Sequence, residues 1–371
     1  MKWSWRIFTA FGIEVNVHAT FLLLLLLGLL SAWSDGGGFS GGLSAVLVIL
    51  AVFACVVLHE FGHSLMARRF GVRTRDITLY PIGGMARLEK IPDDPRQELP
   101  IALAGPVVNL AIAAVLAAAG ILFGWGPETD VLHGKIFGSA QGFLWWLVSI
   151  NLALALFNFI PAFPMDGGRV LRALLALKLD YVRATRIAVS VGQALAFAFG
   201  LYGLLNGHFL LTLVAFFVYL GAGQEGALVQ VRRSFHGLPA SSAMITRFTT
   251  LQETDRLETA VEHLLVGSQV DFPVMRDDQV VGLLTRSVLI DALGKKGPLV
   301  TISSVPLREV ASIQDNMPLD LAFEALQTGA VPCLPVLRQG RLVGLLTLEN
   351  LAEFAMVQTA MRLRDQARGM G

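Results

Sequence analysis

Over the first 225 positions, apolar residues gather in long runs instead of alternating with polar ones. Six runs stand out, at 18–33, 43–66, 98–123, 141–160, 184–204 and 207–223. Each predicts a helix that crosses a bilayer. The third and fifth are rich in alanine and glycine, residues that let helices approach closely in lipid. Between the second and third runs, Ile77 to Tyr80 and Met85 to Leu88 flank a Pro-Ile-Gly-Gly turn and predict a short β-hairpin. Beyond about residue 237 the pattern becomes that of a soluble α/β fold. The expectation is a polytopic α-helical membrane protein: six transmembrane helices with a small membrane-associated β-hairpin, then a soluble tail.

Charge sharpens this picture by alternating from loop to loop. The N-terminus carries Lys2 and Arg6; the segment after the second run carries Arg68, Arg69, Arg73, Arg75, Arg87, Lys90 and Arg96. Arg169, Arg172, Lys178, Arg183 and Arg186 follow the fourth run, and Arg232 and Arg233 follow the sixth. The intervening loops at 34–42, 124–140 and 205–206 hold only Lys135 among basic residues. By the positive-inside rule both termini face the cytoplasm, as do the ends of the second and fourth spans. With 54% hydrophobic and 15% charged residues, the composition excludes an ordinary soluble domain. A net charge of +1 gives no reason to expect nucleic acid as a partner. The first segment is too polar and irregular for a cleaved signal peptide, so the first span is expected to remain. Cys55 and Cys333 lie in different regions and form no disulfide framework; Cys55, one turn before His59, reads as a small apolar filler.

The second run ends in His59-Glu60-Phe61-Gly62-His63. Two histidines four apart share one face of a helix, so both imidazoles can reach one ion. Zinc accepts such nitrogen ligands and keeps a position open for water in catalytic sites. Glu60 can take that water's proton. A solvated helix face could carry the same string by chance, but here the neighbours are apolar, and ionisable groups in lipid are costly and usually functional. The third ligand should then come from another span at the same depth. The fourth run ends in Asn158-Phe159-Ile160-Pro161-Ala162-Phe163-Pro164-Met165-Asp166-Gly167-Gly168-Arg169, where two prolines and a glycine pair break the helix. Irregular backbone at membrane depth is tolerated only when buried in protein or lining a watery cavity. Asp166 is the one carboxylate of that stretch, and it reads either as the third ligand, the reading adopted, or as a cap for the next helix. Asn109, Asn151 and Asn158 also lie in apolar helices, where amides either bond between helices or donate to substrate and oxyanion. Asn158 ranks first, because it abuts the irregular segment.

Together the His59-Glu60-Phe61-Gly62-His63 motif, Ala104-Gly105-Pro106-Val107-Val108-Asn109 and Asn158 to Gly168 resemble the site-2 protease family of intramembrane metalloproteases, over about residues 1–225. The resemblance implies one zinc per chain held by His59, His63 and Asp166, Glu60 as general base and acid, and Asn158 near the substrate carbonyl. It implies a transmembrane protein substrate cut near the cytoplasmic face, in the manner of regulated intramembrane proteolysis, and a multi-pass protein of an inner or plasma membrane. The 77–88 hairpin is similar in position to the family's membrane-dipping hairpin; it reads as a strand-addition site for substrate or as a plain structural hairpin.

After a linker at 226–239, the tail contains a repeat. Phe272-Pro273-Val274 precedes Val281-Gly282-Leu283-Leu284-Thr285, and Leu334-Pro335-Val336 precedes Val343-Gly344-Leu345-Leu346-Thr347. Amphipathic helices are expected upstream, at 255–266 and 319–328, and two such units can bury one shared core. The pattern resembles a tandem pair of cystathionine-β-synthase (CBS) domains, expected at 240–298 and 303–362. The resemblance implies an adenine nucleotide in the cleft between repeats, held by a threonine and a polar group three residues on. Thr347 and Asn350 keep that spacing, whereas Thr285 is followed by Val288. A dimerisation module without ligand is the alternative, and a homodimer through the CBS domains is expected in either case. A second class of function also fits the sequence: a transporter or channel regulated by the CBS pair, with the histidines and Asp166 as a cation path.

Overall fold

The structure is a computed structural model that describes residues 3–34, 38–81, 83–88, 94–126, 139–328 and 331–368. Ile82 of the expected turn, Lys90, and the loop residues 35–37 and 127–138 with Lys135 lie outside the described residues. The chain divides into two compact units, Met1–Ala227 and Leu228–Gly371.

The first unit opens with two strands that the run pattern does not predict. β1 (Ser4–Ala10) and β2 (Ile13–His18) form an antiparallel pair. The signal was short: Ile13, Val15 and Val17 point inward and Glu14 does not, a period of two over only six residues. Phe11 and Gly12, both at positive φ, make the tight turn. β2 takes the chain up to His18, so the helix of the first apolar run starts at Ala19, one residue inside the expected 18–33. α1 (Ala19–Ala32) is 14 residues long, about 21 Å, against about 30 Å of bilayer hydrocarbon. His18 caps it, its Nδ1 accepting from the Thr20 backbone N–H at 3.3 Å.

Among the described residues, therefore, five helices rather than six are long and apolar enough to cross a membrane. They are α2 (Gly38–Arg69), α3 (Pro95–Leu122), α4 (Ala140–Asn158), α6 (Tyr181–Leu205) and α7 (Phe209–Phe235). Between α4 and α6 lies the shorter α5 (Asp166–Ala176). Local chemistry sets several ends. Asp94 and Ser139 cap α3 and α4 by accepting from Arg96 and Gly142. Gly71, at φ +76°, turns the chain off α2.

After α2 come β3 (Thr74–Tyr80) and β4 (Gly83–Leu88), the expected hairpin. β3 also pairs in parallel with β2, so the sheet runs β1-β2-β3-β4 with β4 at an edge. Its inner face packs Ile13, Val15, Val17, Ile77 and Leu79 onto Phe53, Val57 and Phe61 of α2. Asp76 is buried and fixes the hairpin by accepting from Thr78 and from Arg87 across the ladder.

The second unit repeats one motif. β5 (Leu251–Gln252), α8 (Leu257–Val266), β6 (Phe272–Arg276), β7 (Gln279–Leu284) and α9 (Arg286–Lys296) are followed by β8 (Ile313–Gln314), α10 (Leu319–Thr328), β9 (Cys333–Arg338), β10 (Arg341–Thr347) and α11 (Leu348–Arg368). Each half has a three-stranded sheet, β5-β6-β7 or β8-β9-β10, with one parallel and one antiparallel pairing. Equivalent tight turns at Asp277-Asp278 and Gln339-Gly340 both use positive φ. The halves exchange backbone bridges, Ile245 to Leu345 and Arg308 to Leu283. The glycine of each Val-Gly-Leu-Leu-Thr copy makes this possible: a Cβ on Gly282 would stand 2.9 Å from Leu307 Cβ, and one on Gly344 2.5 Å from Met244 Sδ.

Candidate metal centre

α2 is apolar for four turns before His59, and the helix that carries His59 and His63 packs against α1, α3 and the sheet. Both side chains are buried, and their Nε2 atoms face each other at 3.1 Å. Asp166, the first residue of α5, brings Oδ2 to 3.2 Å from His59 Nε2 and 3.1 Å from His63 Nε2. Met165 occupies the cap position of α5, and no side chain caps it. The Asp166 carboxylate is thus directed at the histidines. Among the described residues this is the group of His, Cys, Asp and Glu side chains arranged to hold a metal ion.

The geometry fits zinc. Tetrahedral ligands about 2.0–2.1 Å from zinc stand about 3.3–3.4 Å from one another, close to the observed triangle. Its chemistry fits as well, because two imidazole nitrogens and a carboxylate oxygen are a catalytic zinc donor set that leaves a fourth position open. His63 Nδ1 donates to the Ile101 carbonyl of α3 at 2.7 Å, which leaves Nε2 as the ligating nitrogen. His59 Nδ1 is buried with no protein partner.

The surroundings leave no room for larger groups. A Cβ on Gly105 of α3 would stand 2.2 Å from His63 Nε2 and 2.7 Å from His59 Cε1. A Cβ on Gly62 would stand 2.7 Å from the Ala104 carbonyl oxygen, so α2 and α3 meet backbone to backbone beside the pair. Gly167 and Gly168 do the same for α5, lying against the Phe159, Ile160, Ala162 and Phe163 backbone. Glu60 lies about 100° around α2 from His59 and faces β4. A Cβ on Gly84 would meet Glu60 Cγ at 2.9 Å, and the Glu60 carboxylate hydrogen-bonds the Ala86 backbone. Glu60 is also close enough to His63, His59 and Asp166 to feel their charges.

The three asparagines are not gathered around this triangle by hydrogen bonds. Asn158, the half-buried last residue of α4, donates to the Leu154 carbonyl of its own helix at 3.0 Å. Asn151 is fully buried and donates to Cys55 Sγ at 3.3 Å and to the Leu147 carbonyl at 2.9 Å. Asn109, one turn beyond Gly105, is buried with its Oδ1 unpartnered. Cys55 is therefore a buried acceptor between α2 and α4.

One group escaped sequence reading. Arg172 counts as a loop cation in the charge pattern, yet it is fully buried. Its Nε donates to Glu98 Oε1 at 2.9 Å and its Nη1 to Glu225 Oε1 at 2.6 Å. Position along the chain gave no sign of this, since Glu98 and Glu225 lie 74 and 53 residues away.

In the second unit, an open cleft of about 750 Å³ is lined by Asp271, Thr285, Arg286, Ser287 and Arg308 among others. Thr285 Oγ1 accepts from the Val288 backbone N–H at 3.4 Å, which caps α9. Burial raises the Asp271 carboxyl above its ordinary range, against the pull of the Arg286 backbone N–H and of Arg308. Thr347 accepts from the Asn350 backbone N–H at 3.1 Å, and neither residue lines this cleft.

Residues 47–141 and 133–199 match the description of peptidase family M50, and residues 240–295 and 302–356 that of the CBS domain. A zinc metalloprotease of Methanocaldococcus jannaschii is 37% identical over 76% of this chain and 78% of its own. A Synechocystis sp. relative, with a provisional zinc metalloprotease name, is 30% identical over 96% of both chains. The solved site-2 protease of M. jannaschii is 39% identical, covers 60% of this chain and 95% of its own, and superposes with a TM-score of 0.45.

Proposed function

Since the chain belongs to peptidase family M50, the site-2 protease type of zinc metalloprotease, and carries a tandem CBS pair, we propose that it hydrolyses peptide bonds of transmembrane substrate proteins near the cytoplasmic face of a cell membrane. The observation that carries this reading is the buried triangle of His59 Nε2, His63 Nε2 and Asp166 Oδ2 at 3.1–3.2 Å, with Glu60 beside it on an apolar helix.

His59, His63 and Asp166 would hold one zinc ion. When bound, zinc supplies a Lewis acid that lowers the pKa of a water and polarises a carbonyl. Glu60 takes the proton of the attacking water and delivers it to the leaving amine, so one carboxylate serves both halves of the reaction. Asn158 would turn its amide from Leu154 to the substrate carbonyl, where a donor is worth about 10²–10³ in rate. A transmembrane helix hides its carbonyls in its own hydrogen bonds, so the substrate unwinds locally. β4, the edge strand of the described sheet, lies alongside Glu60 and offers an extended segment a strand to pair with.

In the tail, Arg286 and Arg308 suit the phosphates of an adenine nucleotide and Asp271 its ribose hydroxyls, so the cleft at Thr285 is the preferred nucleotide site. Isothermal titration of the full chain with AMP, ADP and ATP tests this, and no heat with any of them retires it. A homodimer through the CBS domains, cytoplasmic termini, and release of cytoplasmic fragments from membrane-bound regulators complete the reading.

The deciding variant is Glu60→Gln. A protease keeps its zinc and loses turnover of transmembrane peptides that the wild type cleaves. Undiminished turnover would remove Glu60 from the chemistry.

A further inference from the structure

α5 is only 11 residues long, too short to be held by the thickness of the bilayer. In lipid, apolar packing gives a short helix little preference for one rotation over another. Yet Asp166, its first residue, must stay within hydrogen-bonding distance of two imidazoles from α2. Something directional has to fix it.

Arg172 is that kind of group. It sits six positions along α5 from Asp166 and is fully buried, although charges away from water are expensive and usually retained for a purpose. Its guanidinium touches four other elements at once. Nε and Nη2 both donate to Glu98 of α3, which is itself fully buried. Nη1 donates to Glu225 of α7. The face of the group lies 4.9 Å from the Phe163 ring, in the irregular segment just before Asp166, and 5.1 Å from the Tyr181 ring at the start of α6. Glu98 lies one turn before Ile101, whose carbonyl accepts the hydrogen bond from His63 Nδ1, and two turns before Gly105, which abuts both imidazoles. One guanidinium thus ties the helix that presents Asp166 to the helix that orients His63. A planar fork fixes angles as well as distance, which a point charge does not.

We propose that Arg172 is a positioning residue: with Glu98 and Glu225 it locks α5 against α3 and α7, so that Asp166 closes the ligand triangle with His59 and His63. The inference rests on the metal-centre reading above. The alternative is that the cluster only adds stability, with no bearing on where Asp166 stands.

The experiment is a cobalt(II) titration of the detergent-purified full chain, reading both affinity and the visible ligand-field spectrum. Four proteins are compared: wild type, Asp166→Ala, Arg172→Lys, and the paired variant Glu98→Leu with Arg172→Met. Arg172→Lys keeps the charge and loses the fork. The paired variant removes both buried charges and avoids an unpaired Glu98, a change that buried ion pairs often tolerate. The expected result is that both Arg172 variants remain helical and monodisperse, bind cobalt about 10–100-fold more weakly, as when an outer partner of a ligand is lost, and show an altered spectrum. Folded variants with wild-type affinity and spectrum would overturn the positioning role, provided Asp166→Ala weakens binding. Failure of both to fold would reduce the cluster to a stability element and overturn it equally. If wild type binds no cobalt, the metal-centre reading falls and takes this inference with it.

Discussion

Gly105 has no side chain because two imidazoles stand where one would be. Gly105→Ala places a methyl within 2.7 Å of both rings, so His63 or His59 must leave the triangle. We expect it to fold and to lose zinc affinity at least about tenfold, as measured by equilibrium dialysis. Gly84 is the informative contrast, because the atoms its Cβ would meet, Glu60 Cγ at 2.9 Å and Val56 Cγ1 at 3.0 Å, do not belong to a ligand. Gly84→Ala should keep its zinc and lower kcat by about ten- to a hundredfold, since an ångström of misplacement can cost that much. If both variants lose zinc, Glu60 and the ligands are not separable as described. At this scale much was legible. His59, Glu60, His63 and Asp166 could be named because their spacing, or their isolation in apolar sequence, is itself a signal. The glycines' contacts and the burial of Arg172 were not, since both depend on what another helix brings across a gap of dozens of residues.

Among the elements, the long apolar runs translated well and short strands poorly. A run of about twenty apolar residues has few alternatives in lipid, so α2, α3, α4, α6 and α7 could be read directly. β1 and β2 could not, because six alternating residues carry little weight until β3 is found beside them. That pairing also sets the start of α1 at Ala19. In the tail, the repeat exposed both halves, and the burial of Cys333 at the start of β9 has a measurable consequence. Burial, reinforced by the Asp271 charge, pushes its thiol up from near 9 to about 12. A raised pKa means that the folded state holds the proton more tightly. The resulting stability is complete below about pH 9 and is lost as pH rises through 12. Cys333→Ala removes this dependence, so its deficit in melting temperature against wild type should shrink between pH 8 and pH 10.5. A constant deficit would show that the thiol is not shielded.

For the whole molecule, the lipid-facing surface is apolar, with residues such as Leu22, Leu47, Val115, Leu156, Phe197 and Phe216 well exposed. That is the surface of a multi-pass membrane protein. On the proposed topology the arginines clustered at 68–75 and 169–186 lie on the cytoplasmic side. Fusions of a cytoplasm-dependent fluorescent protein should glow at the C-terminus and stay dark when inserted in the loop around Lys135; the reverse pattern would invert the topology. Arg172 lowers that count by one, because it is buried inside the fold. The division into an apolar, membrane-spanning part and a repeated soluble tail was legible from composition and repetition, whereas protease and CBS pair were legible only through the resemblance of their motifs. The cleft beside Thr285 was not, because it needs Asp271 and Arg308 from separate parts of the chain. The central claim, a zinc centre shared between α2 and α5, is tested most directly by the zinc content of detergent-purified protein, wild type against Asp166→Ala. The account predicts near-stoichiometric zinc in wild type and a sharp fall in the variant, with both proteins folded. Folded wild type without zinc, or a variant that keeps it undiminished, would contradict it.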